Sequence, residues 1–185
     1  DQLAAAAADE EHWAAQYRDG APVLDLPVSG ARPPAKTYGS GREELRIDEE
    51  LYAALKQTGA RSGATLFVTL VAAWEALVYR LSGQPDFVVG IPFAGQPQLE
   101  NSTLVAHCVN TVPLRARLDP DVPFTEHLRT VRDELAEAQD RSRHTFGSLV
   151  RRLQLPRDPS RTPLVDMTFS IDKVAPTVTG AGPSR

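Results

Sequence analysis

One cysteine, Cys108, stands in the whole sequence, which excludes an internal disulfide and any site built from paired thiolates. Its neighbours are apolar, so a buried, inert thiol is expected. Histidine is also scarce. His12, His107, His127 and His144 are the full set, and no two stand at the spacing of a metal-ligand pair. No Gly-x-Ser-x-Gly elbow, P-loop or dinucleotide fingerprint occurs. No apolar run is long enough to cross a bilayer, and no signal-peptide pattern opens the chain, so no membrane partner and a cytoplasmic setting are expected. Positive charge is in deficit, with a formal net charge of −4, which argues against a nucleic-acid partner. No internal repeat is visible. The 185 residues are enough for one domain with a real core.

What is present is a series of periodic segments. Residues 1–20 read as a helix stopped by Gly20; its alanine run makes it a connector rather than a core element. Residues 21–40 are rich in proline and glycine and read as an extended crossing segment in which Val23, Leu24 and Leu26 seek burial. Glu43 to Ile47 is a short strand candidate. Asp48 caps a helix with Leu51, Ala54, Leu55 and Thr58 on one face and Gly59 at its end. Thr65 caps a strong helix to Leu81, whose apolar residues 66, 67, 70, 71, 74, 77, 78 and 81 recur at helical spacing, and Gly83 ends it. Asp86 to Pro92 is a nearly continuous apolar run, the mark of a central strand covered on both faces. A loop follows from Phe93 to Thr103.

From Val109 a strand alternates, with Asn110, Val112, Leu114, Ala116 and Leu118 inward and Thr111, Pro113, Arg115 and Arg117 on a wetter face. Pro113 cannot donate to a ladder, so an edge or a bulge is expected there. Asn110 is the polar member of an inward set and needs partners. Two readings stay open for it, tying down a loop or lining a site. Pro123 pre-sets another helix, with Phe124, Leu128, Val131 and Leu135 on its buried side. A shorter helix holds Phe146, Leu149, Val150 and Leu153. Leu164 to Ile171 alternates as a last strand, with Val165, Met167, Phe169 and Ile171 inward, and the pattern fades from Ala175 into a mobile tail. Strands and helices in this order give an α/β sandwich with helices packed on a sheet.

His127 falls on a charged helix side and reads as a surface residue; His12 reads as a packing residue beside Trp13. His144, among arginines, titrates near neutral pH if exposed. His107 is the histidine placed to line a site. Arg141, Arg143, Arg151, Arg152, Arg157 and Arg161 cluster within two helices and a loop, either as a solvated basic face or as a landing surface for an acidic partner.

Four stretches together resemble the condensation domains of nonribosomal peptide synthetases. They are DEEHWAAQYRDGAPVLDLP at 9–27, SGQPDFVVGIPFAGQ at 82–96, VAHCVNTVPLR at 105–115 and RDPSRTPL at 157–164. Their order and spacing agree with the family from Asp9 to Ile171. Two departures stand out. The family's His-Gln…Pro-Phe-Glu motif is here RSRHTFG at 141–147, where Phe146 alone is clearly kept. The family's two-histidine signature (HHxxxDG), which belongs to its N-terminal lobe, has no counterpart.

The resemblance implies a chloramphenicol-acetyltransferase-like two-layer sandwich with helices on a mixed sheet, one incomplete lobe of two. Residues 1–40 would be the inter-lobe helix and crossing segment, and 41–185 part of the C-terminal lobe. It implies no catalytic residue here, and an isolated chain without activity. It implies a domain forming amide bonds between aminoacyl and peptidyl thioesters, as in the biosynthesis of antibiotics and other secondary metabolites. Phosphopantetheine would be borne by partner carrier proteins and not bound as a cofactor. Further partners would be the N-terminal lobe and adjacent synthetase domains. Asn110, Thr111 and His107 would line the substrate tunnel, Arg157, Asp158 and Arg161 would pin a loop, and Arg151 and Arg152 would meet the carrier. The alternatives are a noncatalytic module that holds a carrier protein, and another thioester-dependent acyltransferase of the superfamily.

Overall fold

In the computed structural model of the chain, residues 2–37, 39–94 and 109–172 are described. Among these residues, five helices and three strands run in the order α1 (Gln2–Ala15), α2 (Glu49–Arg61), α3 (Leu66–Ser82), β1 (Asp86–Ala94), β2 (Val109–Arg117), α4 (Phe124–Asp140), α5 (Phe146–Leu153) and β3 (Met167–Thr168). The sheet order is β2-β1-β3. β1 pairs antiparallel with β2, with Gly90 opposite Pro113, and parallel with β3, so the sheet is mixed and β1 is central. That is the place its apolar run anticipates. Pro113 lies on β2, an outer strand among those described, where its missing N–H interrupts no ladder.

Local chemistry sets the helix ends. Asp48 accepts from Leu51 N–H, Thr65 from Val68 N–H and Thr145 from Ser148 N–H, each satisfying a donor left free by the first turn. Gly83 closes α3 in the left-handed region at φ 71°. Gly59 does not end α2. It lies inside the helix and is buried, because a Cβ there would run into Thr69 Oγ1 of α3. Gly90 has the same role in the sheet: a Cβ would lie 2.7 Å from Val165 Cγ1 and 3.1 Å from Thr168 Cγ2.

The main core joins alternate residues of β1 (Phe87, Val89, Ile91) and β2 (Val112, Leu114, Ala116) to Val71, Ala72 and Val78 of α3 and Leu128, Val131 and Leu135 of α4. Val88, on the opposite face of β1, joins a smaller cluster with Tyr17 and Val165. Both faces of the strand pair are therefore covered.

Several sequence expectations are revised. α1 is a core element: Trp13 is 1% exposed and sits in the main cluster. Of the crossing segment, Leu24 is buried and Val23 is exposed. Residues 43–47 form no strand, and Leu45 and Ile47 are exposed; an alternating pattern builds no ladder without a neighbouring edge. The face of α2 carrying Leu51 is largely exposed. On α4, Phe124 is exposed while His127 is buried. β3 is two residues long. Leu164 takes φ 66° and Val165 N–H turns back to Pro163 O, so the chain meets β1 only from Met167, and Ile171 is left exposed. The tail from Ala175 and the loop residues 95–103 lie outside the described residues.

Candidate functional site

β2 carries the residues the sequence singles out, and the structure shows what each one touches. Asn110 donates from Nδ2 to Ser142 O at 3.2 Å and to His144 O at 2.6 Å, and its Oδ1 accepts from Phe146 N–H at 3.0 Å. Both ends of the amide are used on one turn, the one that leads into α5. Of the two readings left open, the tie to a loop is the one with visible bonds. Thr111 is half-buried and pairs with Pro92 of β1. His107 and Cys108 lie outside the described residues.

The face of β2 that alternation assigns to water is covered. Arg115 is 6% exposed and Pro113 is fully buried. The cause is the C-terminal end of α1 and the turn after it. Tyr17 donates from its hydroxyl to Pro113 O at 2.8 Å, and its ring lies beside the Arg115 guanidinium. Arg115 forks between two carboxylates. Nε and Nη2 reach Asp86 at 2.9 and 2.7 Å, and Nη1 reaches Asp19 at 2.6 Å while also donating to Gln16 O. The Asp86 hydrogen bonds raise the Arg115 pKa further, and Arg115 in turn holds the Asp19 carboxyl below its ordinary range. Burial pushes the Tyr17 phenol up. The sequence signal for this hub was a cationic side chain in a strand whose facing residue, Val88, belongs to a run with no polar alternation.

The RDPSRTPL stretch closes the opposite end. Asp158 Oδ1 accepts from Ser160 N–H at 2.8 Å and Ser160 Oγ at 2.7 Å, which lowers the Asp158 pKa. Arg161 donates to Leu24 O at 2.6 Å and to Asp166 Oδ2 at 2.9 Å, with Asp25 at 3.6 Å and Asp158 at 3.8 Å. Lys36 N–H meets Pro159 O at 2.8 Å. The stretch fastens residues 24–36 to the sheet. Arg157 is exposed and makes no ion pair with a described residue. A cavity of about 570 Å³ opens here between the crossing segment and residues 153–166, with Tyr17, Pro22, Leu155 and Leu164 on its walls.

The arginine cluster divides. Arg141 pairs with Glu137, Arg143 with Asp9, and Arg152 with Glu10 and Glu11, so these charges tie α4, α5 and the 141–144 turn to α1 or to each other. Arg151 is exposed on α5 and pairs with no described residue. His144 is buried, not exposed, and stacks near Trp13 at 6.1 Å; burial lowers its pKa. His12 packs against Trp13, edge to face, as read from sequence, and lies 3.6 Å from Glu137. Among the described residues, no group of three His, Cys, Asp or Glu side chains is placed to hold a metal, and no single helix is long and apolar enough to cross a membrane.

Residues 2–176 match the family model described as "Condensation domain". The chain is 37% identical over 165 residues to one of the plipastatin synthase proteins of Bacillus subtilis (strain 168), covering 89% of this chain and 6% of that protein. It is 33% identical over 160 residues to tyrocidine synthase 2 of Brevibacillus parabrevis, covering 86% of this chain and 4% of that protein. Among solved structures it is similar to holo-AB3403, a four domain nonribosomal peptide synthetase, at TM-score 0.83 and 20% identity, covering 86% of this chain and 12% of that one. It is also similar to the X-domain from teicoplanin biosynthesis, at TM-score 0.80 and 23% identity, covering 88% of this chain and 36% of that one. The chain thus spans a small share of the curated proteins it matches. On the family match, and on an identity of more than a third to a plipastatin synthase, the chain belongs to the condensation-domain family of nonribosomal peptide synthetases.

Proposed function

We propose that this chain is the central and C-terminal-lobe portion of a domain that joins two carrier-borne acyl groups through an amide bond. In that step the acceptor amine attacks the donor thioester carbonyl. The C–N bond forms, the C–S bond breaks, the phosphopantetheine thiol leaves, and the amine gives up a proton. The acid–base group is expected from the other lobe, since no adjacent histidines occur here. What these residues contribute is position. Holding two reactants in register supplies much of the barrier reduction for such a transfer.

The observation that carries this reading is the 37% identity to a plipastatin synthase across nearly the whole chain. The geometry supports a scaffolding role. β2 is held from one side by Arg115 and Tyr17 and from the other by the turn that Asn110 binds. Asn110 shapes the tunnel wall through that turn, with Thr111 beside it on β2, and His107 is assigned to the tunnel lining on its motif alone. Residues 1–40 act as the inter-lobe connection, fastened by Arg161 through Leu24 O and Asp25. Arg151 is the exposed cation offered to an acidic carrier protein, with Arg152 already engaged by α1. The setting is cytoplasmic, beside adjacent synthetase domains.

The test uses the intact protein that carries this segment. Loaded donor and acceptor carriers are mixed with it and the acceptor is followed by mass spectrometry. Transfer of the donor acyl group to the acceptor amine supports the reading. A second reading is a module that binds a partner without catalysis. One neighbour favours it: a solved structure with TM-score 0.81 is a complex of the X-domain and OxyB. Carrier binding without transfer by the intact protein would select it.

A further inference from the structure

Two buried titratable groups lie outside everything assigned above. Glu75 stands in the middle of α3 with its side chain 0% exposed, and His127 on α4 has a side chain 10% exposed. His127 Nε2 lies 3.2 Å from Glu75 Oε2. Neither oxygen of Glu75, nor His127 Nε2, has a directed hydrogen bond among the described residues, so at 3.2 Å the imidazole is the charged partner at hand for the carboxyl. Val71, Ala72 and Val78 on α3 and Leu128 and Val131 on α4 are all buried around this seam.

Charge bookkeeping limits the seam to one comfortable state. With one proton between them, the two groups are neutral together, whichever atom holds it. With none, a carboxylate is buried without a counter-charge. With two, an imidazolium is. Each of these leaves an uncompensated charge in an apolar seam, which is costly. We propose that Glu75 and His127 form a one-proton latch that holds α4 against α3 only while the pair carries a single proton.

The surroundings bias the latch. Burial raises the Glu75 pKa, and His127 draws it back down. Glu134, two turns further along α4, is pushed up to about 7 by its own burial and then by the Glu75 charge. Arg117 from β2 and Glu137 from α4 act on Glu134 in opposite directions, and His12 of α1 faces Glu137 at 3.6 Å. No ion pair joins α2 or β1 to Glu75 or His127 among the described residues. Carboxyls with raised pKa bind more protons folded than unfolded. Their contribution is present at low pH and is lost as pH rises through the folded value. The latch therefore loosens on the alkaline side.

The experiment is hydrogen–deuterium exchange by mass spectrometry on the intact protein, reading peptides within 124–140 at pH 6 and pH 8, corrected for intrinsic exchange. Wild-type α4 is expected to lose roughly tenfold in protection between the two. In Glu75→Gln, which removes the carboxyl and keeps its shape, the loss shrinks to less than about threefold. In Glu75→Leu/His127→Leu, which removes both charges, it shrinks likewise, and this variant carries the test if the amide does not fold. In Glu134→Gln most of the loss remains. Equal protection of wild type at both pH values would overturn the latch. So would a loss that survives in Glu75→Gln or in the double variant, or one abolished by Glu134→Gln alone.

Discussion

Arg115 and Glu75 are both buried charged side chains on elements of the same core, and they solve burial differently. Arg115 has five hydrogen bonds, to Asp86, Asp19 and Gln16 O. Its carboxylate partners stay partly wet, at 37% and 65% side-chain exposure, so the desolvation is shared with water. Glu75 has one imidazole at 3.2 Å and no water-facing partner. A guanidinium fork can satisfy two carboxylates and a carbonyl at once. A carboxyl in an apolar helix seam has to settle its charge with a proton. The first arrangement is insensitive to pH across the neutral range; the second is the one the proposed latch makes sensitive to it.

This contrast can be broken from the Arg115 side first. Arg115→Leu takes the guanidinium away from Asp86 and leaves Asp19 and Gln16 O with Arg117, at 3.9 and 3.4 Å. We expect a loss of about 3 kcal/mol, the low end for breaking a buried pair because both carboxylates are partly solvated, read by chemical denaturation. Asn110→Ala removes three hydrogen bonds from the turn at 142–146 and is expected to cost about 2 kcal/mol by the same measurement. Trp13→Phe keeps most of the ring and loses the Nε1 bond to Arg141 O at 2.8 Å, for about 1 kcal/mol. On the other side, raising pH through 7 ionises Glu134 and is expected to lower the melting temperature by roughly 2–4 °C, more than in Glu134→Gln. Smallest of all, Arg151→Glu should leave stability within about 0.5 kcal/mol. It should weaken carrier binding at low salt, where an exposed charge acts at longest range. Unchanged affinity there removes Arg151 from the docking surface.

Much of the fold was legible because single residues dictate it. Thr65 and Gly83 bound α3, the run at 87–91 names a central strand, and Asn110 in an inward register demands partners. What was not legible depends on neighbours far away in sequence. The outward face of β2 reads as wet until Tyr17 and Asp19, about a hundred residues earlier, cover it. Glu75 falls in step with Val68, Val71, Ala72 and Val78, a register the sequence does carry, yet a carboxylate is not read as a core residue without its partner. His127 is that partner, and alone on a charged helix it looks exposed. Leu45 and Ile47 alternate as a strand does, yet residues 43–47 form no strand. The candidate site was legible as motifs more than as geometry: RDPSRTPL marks a fastening, but nothing local says that Arg161 reaches Leu24 O.

If these residues position a reaction whose acid–base group lies in another lobe, the segment alone cannot complete it. The most direct measurement incubates the isolated 185-residue chain, with β1 and α4 amides shown to be protected, with loaded donor and acceptor carriers. No amide product above a no-protein control is the predicted result. Turnover by the isolated chain would contradict it.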